Sequence, residues 1–150
     1  MKFLAGNSLQ LLRSGEEYFP SLEDAIASAR SSVFLETYIF STDEIGQKFA
    51  RALADAAKRG VLVYVLVDGF GSHNFPVAFG NELKNAGVHV KVFRPEIARP
   101  RFHRQRLRRM HRKIAVIDGR LGFIGGINIT SDYDREFPNT TRLDYAVRAE

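Results

Sequence analysis

Hydrophobic and polar residues follow two different spacings along the first 93 residues of the chain. Apolar side chains recur at helical spacing over residues 14–31 and again over residues 43–59, where Gly60 stands at a position that ends a helix. Each helical stretch is followed by a short apolar run, at residues 32–40 and 61–68. Such runs are typical of buried strands in a parallel sheet. The alternation of the two spacings predicts an α/β fold.

The rest of the pattern adds a hairpin to this alternation. The further predicted elements are a helix at 77–85, strands at 88–93, 111–117 and 120–124, and a last strand that starts near Asp144. The dipeptide Asp118-Gly119 between two of these strands is a strong signal for a tight hairpin turn. We therefore expect one domain over residues 1–150, an α/β sandwich with a mixed, largely parallel sheet flanked by helices.

The most informative chemistry lies on the first strand of the hairpin. His111 and Lys113 are two residues apart, so their side chains project from the same face of a strand. A lysine beside a histidine favours the neutral imidazole through like-charge repulsion, and a neutral imidazole can attack phosphorus. The same lysine can neutralise the charge that develops on the phosphoryl oxygens. The pair predicts covalent phosphoryl-group chemistry that needs no metal.

Small and polar residues around the hairpin extend this prediction. Gly125 and Gly126 permit close approach of the backbone, and their amides, together with the Asn128 side chain, are candidates for binding phosphate oxygens. The glycines also suit a tight turn, and the two interpretations are compatible. Asp118 is assigned a structural part in the site, because Asp-Gly favours the hairpin turn itself.

A histidine nucleophile also needs a carboxylate that fixes its tautomer and orientation. Asp144 is one candidate because it precedes an apolar strand, where an acidic residue needs a partner. Glu36 is the alternative, since an unpaired carboxylate within an apolar strand is costly to bury. The other histidines have no metal-ligand spacing, so neither a metal nor another cofactor is expected. They are His73, His89 and His103.

Composition and charge narrow the class of protein. The absence of cysteine excludes disulfides, zinc-thiolate sites and thiol catalysis. The net charge of +5 and the pI near 9.7 favour anionic partners. Many of the cations fall in the run 94–113, where Glu96 is the only carboxylate. The N-terminus makes a poor signal peptide, and no window of the sequence approaches the ~18 apolar residues of a membrane span.

The motif as a whole resembles the signature of the phospholipase D superfamily, H-x-K-x4-D-x6-G-[GS]-x-N. Every position of that signature is present in this chain: His111, Lys113, Asp118, Gly125, Gly126 and Asn128. Over nearly its whole length the chain is more closely similar to the N-terminal half of bacterial cardiolipin synthases of the phospholipase D type. The segments that carry this similarity are GEEYFPSLEDAIASAR, FLETYIFSTDEIGQKFARALADAAKRGV, VLVDGFGS, RLRRMHRKIAVIDG and FIGGIN.

The resemblance implies transfer of a phosphatidyl group. His111 would attack the phosphodiester of phosphatidylglycerol and expel glycerol, and a second phosphatidylglycerol would resolve the phosphatidyl-histidine intermediate. Lys113 and Asn128 would hold the phosphate, Asp144 would orient the imidazole, and no cofactor would take part. The protein would act peripherally at the cytoplasmic side of the cell membrane, with its basic run against anionic phospholipid.

Enzymes of this family use two such motifs, and this chain contains one. The second half is therefore expected either in cis, with this chain as a fragment, or in a homodimer. The fragment is favoured because the resemblance is to the large enzymes. The alternative function is a homodimeric phosphodiesterase or nuclease that uses the same histidine. Nucleic acid is a disfavoured partner, because Phe102 is the only aromatic residue in the basic run. A non-catalytic anion-binding module is least favoured, because the motif is intact.

Overall fold

The computed structural model of the protein describes residues 6–95, 109–131 and 143–150. Its strands are β1 (Leu9–Arg13), β2 (Ser32–Thr37), β3 (Leu62–Asp68), β4 (His89–Phe93), β5 (Ile114–Ile117), β6 (Leu121–Gly125) and β7 (Tyr145–Ala149). Its helices are α1 (Ser14–Ser28), α2 (Glu44–Lys58), α3 (Phe75–Ala78) and α4 (Gly80–Asn85). Most of the basic run, including His103, Glu96 and Phe102, lies outside the described residues.

The strands form one sheet in the order β1-β7-β6-β5-β2-β3-β4. Only the pairs β2–β3 and β3–β4 are parallel, and the other four pairs within the described residues are antiparallel. The expectation of a mixed sheet is confirmed, whereas the expectation that it is largely parallel is wrong. Parallel strands need helical crossovers, and such crossovers join only β2 to β3 and β3 to β4. The other half of the sheet contains the hairpin β5–β6 and the strands β7 and β1. The hydrophobic pattern did not predict β1.

The helices cover one face of the sheet. Leu22, Ile26, Phe49, Leu53 and Leu83 of the helices pack with the buried residues of the strands. The other face is open in the described part of the chain: Phe34 and Tyr64 are 46% and 39% exposed and stack on each other with ring centroids 5.0 Å apart. The prediction that residues 32–40 and 61–68 are buried strands therefore holds for one face only, since the helices flank a single side.

Local signals in the sequence set the bounds of several elements. Asp43 begins α2, and its Oδ1 accepts a hydrogen bond of 2.9 Å from the amide of Gly46. Gly60 follows α2 with φ +91°, a conformation that suits glycine. Asp118 and Gly119 have φ values of +53° and +66°, the left-handed conformation that the tight turn between β5 and β6 needs. The predicted helix at 77–85 instead forms two short helices, α3 and α4.

Candidate active site

The site lies at the edge of the sheet where β2 and β3 end and β5 begins. Parallel strands place their carboxyl ends at the same edge, and β5 runs antiparallel to β2, so its start lies there too. The hydrophobic segments that form these strands thus bring Tyr38, Asp68 and His111 to one place, although they are far apart in the sequence.

His111 and Lys113 lie side by side at the start of β5. The Lys113 ammonium lies 3.1 Å from both ring nitrogens of His111 and 3.2 Å from its carbonyl oxygen. An ammonium group only donates hydrogen bonds, so the imidazole can take part in this contact only as acceptor. His111 is exposed, whereas Lys113 is only 6% exposed. The two side chains share a face, as their spacing predicts.

Asp144 supplies negative charge to this pair. Burial lowers the pKa of the Lys113 ammonium, and the nearby charge of Asp144 opposes that shift. The Asp144 carboxylate accepts a hydrogen bond of 2.7 Å from the amide of Tyr145, and these described residues include no hydrogen bond from His111 to Asp144. Asp144 therefore interacts electrostatically with the Lys113 ammonium, and no hydrogen bond joins it to the imidazole among the described residues.

Glu36, the alternative partner of the histidine, lies on the open face of the sheet. Its Oε2 is 2.9 Å from Nε of Arg112, an ion pair whose geometry falls short of a hydrogen bond. Arg112 alternates with His111 and Lys113 along the chain, so it projects from the opposite face. The structure thus separates Glu36 from the histidine that it was expected to orient.

Tyr38 is a site residue that sequence reasoning missed. Its ring centroid is 4.8 Å from that of the His111 imidazole, and Lys113 Nζ lies 5.5 Å from the centre of the Tyr38 ring. An aromatic ring beneath an ammonium group stabilises the cation through the negative face of its π system. The sequence feature that could have indicated Tyr38 is its position directly after β2, a strand that ends at the candidate site.

Asp68 is a second residue that the sequence reasoning missed. It is fully buried at the end of β3. One carboxylate oxygen accepts from the amides of Phe70 and Gly71, at 2.9 and 3.2 Å, and the other accepts from the amide of Met110 at 2.9 Å. Because Met110 precedes His111, this carboxylate joins the loop after β3 to the start of the motif. The sequence feature that could have indicated Asp68 is an acidic residue at the end of an apolar strand, where it needs a partner.

The two glycines do not offer their amides to a ligand. The Gly125 amide donates to the carbonyl of Lys113 at 3.3 Å, and the Gly126 amide donates to the carbonyl of Tyr145 at 3.0 Å. The expectation that these amides bind phosphate is therefore wrong in this structure, because sheet pairing already uses them. A Cβ at Gly126 would overlap the Asp144 carboxylate, so its glycine allows that carboxylate to come close.

Asn128 keeps donor capacity for a ligand. Its side-chain oxygen accepts a hydrogen bond of 3.0 Å from the amide of Ile39, which fixes the orientation of the side-chain amide. The Nδ2 group has no acceptor among the residues that the structure describes. No three His, Asp or Glu side chains of those residues cluster as metal ligands do.

Comparisons with known proteins identify the family of this chain. Residues 22–136 match the family described as cardiolipin synthase, phospholipase D-like domain. The chain belongs to this family. The resemblance to the phospholipase D superfamily and to cardiolipin synthases that the motif predicted is thereby confirmed.

The chain spans about a third or less of the length of the cardiolipin synthases to which it is similar. Cardiolipin synthase B of Escherichia coli is 45% identical over 97% of the chain, which spans 35% of that protein. The major cardiolipin synthase of Bacillus subtilis is 40% identical over 87% of the chain, which spans 27% of it. The crystal structure of Nuc, a phospholipase D family member from Salmonella typhimurium, has the same fold, with a TM-score of 0.66 and 23% identity over 96% of this chain and 83% of its own.

The aspartate of the phospholipase D-type motif lies away from His111 and Lys113. Asp118 is at the far end of β5, roughly 16 Å along the strand from Lys113. Its carboxylate accepts hydrogen bonds from the amides of Arg30, Ser31 and Ser32 at 2.8–3.3 Å. These bonds hold the pKa of the Asp118 carboxyl well below its usual range. Asp118 therefore has a structural part, at a distance from the histidine.

Replacing Asp118 by alanine is expected to lower the free energy of unfolding by roughly 2–3 kcal/mol, since several amides lose a charged acceptor at a partly exposed place. The folded-state pKa of Asp118 is depressed, so its stabilisation is present above its unfolded value of about 3.9 and is lost as the pH falls below that value. Urea unfolding between pH 7 and pH 3 measures both effects. Asp55→Ala, at an exposed i,i+3 ion pair, is the matched control. Equal pH profiles for the wild type and Asp118→Ala would contradict this account.

Proposed function

We propose that this chain supplies one half of a catalytic centre that makes cardiolipin, by transferring a phosphatidyl group from one phosphatidylglycerol to another. The observation that carries the proposal is the buried Lys113 ammonium 3.1 Å from the ring nitrogens of His111. Support comes from the cardiolipin synthases that are 40–45% identical to the chain.

In the first step, a ring nitrogen of His111 attacks the phosphorus of phosphatidylglycerol. A phosphorus–nitrogen bond forms and the bond to the glycerol oxygen breaks, which gives phosphatidyl-histidine and glycerol. Lys113 and the Asn128 Nδ2 group hold the phosphoryl oxygens and stabilise the charge that they gain in the transition state. Asp144 keeps the Lys113 side chain charged at its buried position.

In the second step, the terminal hydroxyl of another phosphatidylglycerol attacks the same phosphorus. The new phosphorus–oxygen bond forms as the phosphorus–nitrogen bond breaks, and His111 is restored. The departing glycerol needs a proton in the first step, and the attacking hydroxyl loses one in the second. One acid-base group that gives and then takes this proton balances the cycle.

A second histidine from another H-x-K half is proposed for this acid-base role. This chain has a single H-x-K-x4-D motif and spans 35% of the length of cardiolipin synthase B. The second half is supplied either in cis or by a second copy of the chain in a homodimer. Its histidine would face His111 across the phosphorus.

The substrate places this chemistry at a membrane surface. No helix in the described residues is long and apolar enough to cross a bilayer. We place the protein peripherally on the cytoplasmic side of the cell membrane, where anionic phosphatidylglycerol attracts a chain with a net charge of +5.

Product analysis by mass spectrometry tests the proposed function. The complete assembly with both H-x-K halves is incubated with vesicles of phosphatidylglycerol. The expected products are cardiolipin and glycerol in equal amounts. Phosphatidate in place of cardiolipin would show a phosphodiesterase that uses water as acceptor, and the absence of any product would refute both reactions.

Replacing Gly126 by alanine is expected to reduce transfer activity by about a hundredfold, because the added methyl group displaces the Asp144 carboxylate from Lys113. Gly122→Ala, on the strand that ends one residue before Gly126, is the matched control, since a Cβ there meets no atom closer than 4.0 Å. Initial rates of cardiolipin formation are compared with the thermal midpoints of the variants. Equal rates for the two alanine variants would argue against a role for Asp144 in the site.

A further inference from the structure

A cavity of about 960 Å³ is lined in part by Tyr38, the ring that contacts His111 and Lys113. It lies between the segment after β2 and the loop after β3, and residues from both, among them Tyr38 and Phe70, line it. The Tyr38 ring also contacts the His111 ring, at 4.8 Å between centroids. The Phe70 ring lies under the guanidinium of Arg109, whose Cζ is 4.9 Å from the ring centre. His111 and Arg109 thus each contact an aromatic ring that lines the cavity, whose volume suits a small organic ligand.

Hydrogen bonds fix these walls relative to one another. The Ser72 hydroxyl donates to the carbonyl of Tyr38 at 2.9 Å and accepts from the amide of Phe40 at 2.8 Å, which joins the two segments. Asp68 holds the amides of Phe70 and Met110, each at 2.9 Å. Because Met110 stands between Arg109 and His111, the same carboxylate holds the arginine, its aromatic support and the nucleophile in one arrangement.

The charge of Arg109 is available to a ligand. Arg109 forms no ion pair with a carboxylate in the part of the chain that the structure describes. Asp43 is the acidic residue among those that line the cavity, and its carboxylate is already occupied. One of its oxygens accepts from Gly46, and the other accepts from the Thr130 hydroxyl and the Ser131 amide. A guanidinium stacked on a ring of this cavity, with no free carboxylate among the lining residues that the structure describes, favours an anionic ligand.

We propose that this cavity binds the glycerophosphate headgroup of the acceptor lipid, with Arg109 on the acceptor's own phosphate. The inference rests on the proposed phosphatidyl transfer and adds a site for the second substrate. In an acceptor phosphatidylglycerol, three carbons separate the attacking hydroxyl from that phosphate. Arg109 and His111 are two residues apart, and in the proposed arrangement the hydroxyl attacks the phosphatidyl-histidine while the phosphate contacts the guanidinium.

This arrangement distinguishes the acceptor from its competitors. Water and free glycerol also carry a hydroxyl that can form the bond to phosphorus as the bond to His111 breaks, but neither has a phosphate for Arg109. The contact therefore favours transfer to a phospholipid over hydrolysis and over the return of glycerol. Arg109 determines the choice of acceptor and takes no part in the attack on the donor.

A competition between two soluble acceptors tests the inference. The complete assembly is given vesicles of phosphatidylglycerol as donor, with isotope-labelled glycerol and glycerophosphoglycerol as acceptors. The two acceptors offer the same terminal hydroxyl and differ by a phosphate. The wild type should prefer glycerophosphoglycerol. Arg109→Gln should lower this preference roughly ten- to a hundredfold while transfer to glycerol persists, and Arg109→Lys should restore part of it.

Arg112→Gln is the matched control, since Arg112 is paired with Glu36 on the opposite face of the sheet and should keep the wild-type preference. An unchanged preference in Arg109→Gln, or an equal loss of transfer to both acceptors, would overturn the acceptor site and leave phosphatidyl transfer standing. A wild-type assembly that transfers to neither acceptor would instead overturn the proposed function on which the site depends.

Discussion

Replacing His111 by alanine is expected to reduce cardiolipin formation by at least ~10⁴-fold, because the group that bonds to phosphorus is gone. The Lys113 ammonium and the Asn128 amide, the proposed phosphate ligands, remain, so the affinity for phosphatidylglycerol vesicles should change little. Initial rates in the complete two-half assembly measure the loss. Rapid acid or base quenching followed by mass spectrometry of the intact protein measures the phosphatidyl adduct, which should be present in the wild type and absent from the variant.

His89→Ala is the matched control for this experiment. His89 is also a strand histidine, but it stacks on Tyr64 on the open face of the sheet, with ring centroids 4.5 Å apart, and does not reach the site. This variant should keep the wild-type rate and the adduct. Full transfer activity in His111→Ala, or an adduct that persists in it, would refute the assignment of His111 as nucleophile.

Replacing Lys113 by methionine is expected to reduce the rate of transfer by about 10²–10³-fold, because a buried cation no longer stabilises the charge on the phosphoryl oxygens. Methionine has nearly the same length and fills the same buried space. The loss should therefore appear in kcat, and the protein should stay folded. Steady-state kinetics on phosphatidylglycerol vesicles measures it.

The same variant should change the dependence of stability on pH. Burial lowers the pKa of Lys113 in the folded state, so between the folded and unfolded values the unfolded chain binds more protons. Stability gained from this group therefore rises as the pH increases toward its unfolded pKa of about 10.4, and Lys113→Met should remove that rise. Lys58→Met, at an exposed ion pair with Asp55, should retain it. Parallel urea midpoints between pH 7 and pH 10 in all three proteins would contradict this expectation.

The parts of the site that the sequence predicts are those governed by local geometry. The period of a strand places His111 and Lys113 on one face wherever that strand lies in the fold. The turn at Asp118 and Gly119 depends only on the backbone conformations that these two residues favour. For the same reason the bounds of α2 follow from Asp43 and Gly60.

The remaining parts depend on contacts between distant segments, which a single sequence does not reveal. The amides of Gly125 and Gly126 are occupied because β7 and Lys113 lie beside them, and nothing in the local sequence of the glycines indicates those partners. Asp68 and Met110 meet only because β3 and the start of β5 reach the same edge of the sheet. The strand β1 was not predicted because four of its five residues are exposed, so its sequence does not alternate between apolar and polar residues.

The hydrogen bonds of Asp118 have a consequence for the register of the central strands. β5 pairs with β2 across more than 70 residues of intervening chain (38–113), and Asp118 anchors that pairing to Arg30, Ser31 and Ser32 at its far end. A slip of β5 by a single residue would carry every side chain to the other face of the sheet. His111 and Lys113 would then lie on the open face. By fixing the register, the motif's aspartate determines which face of the sheet carries His111, the proposed nucleophile.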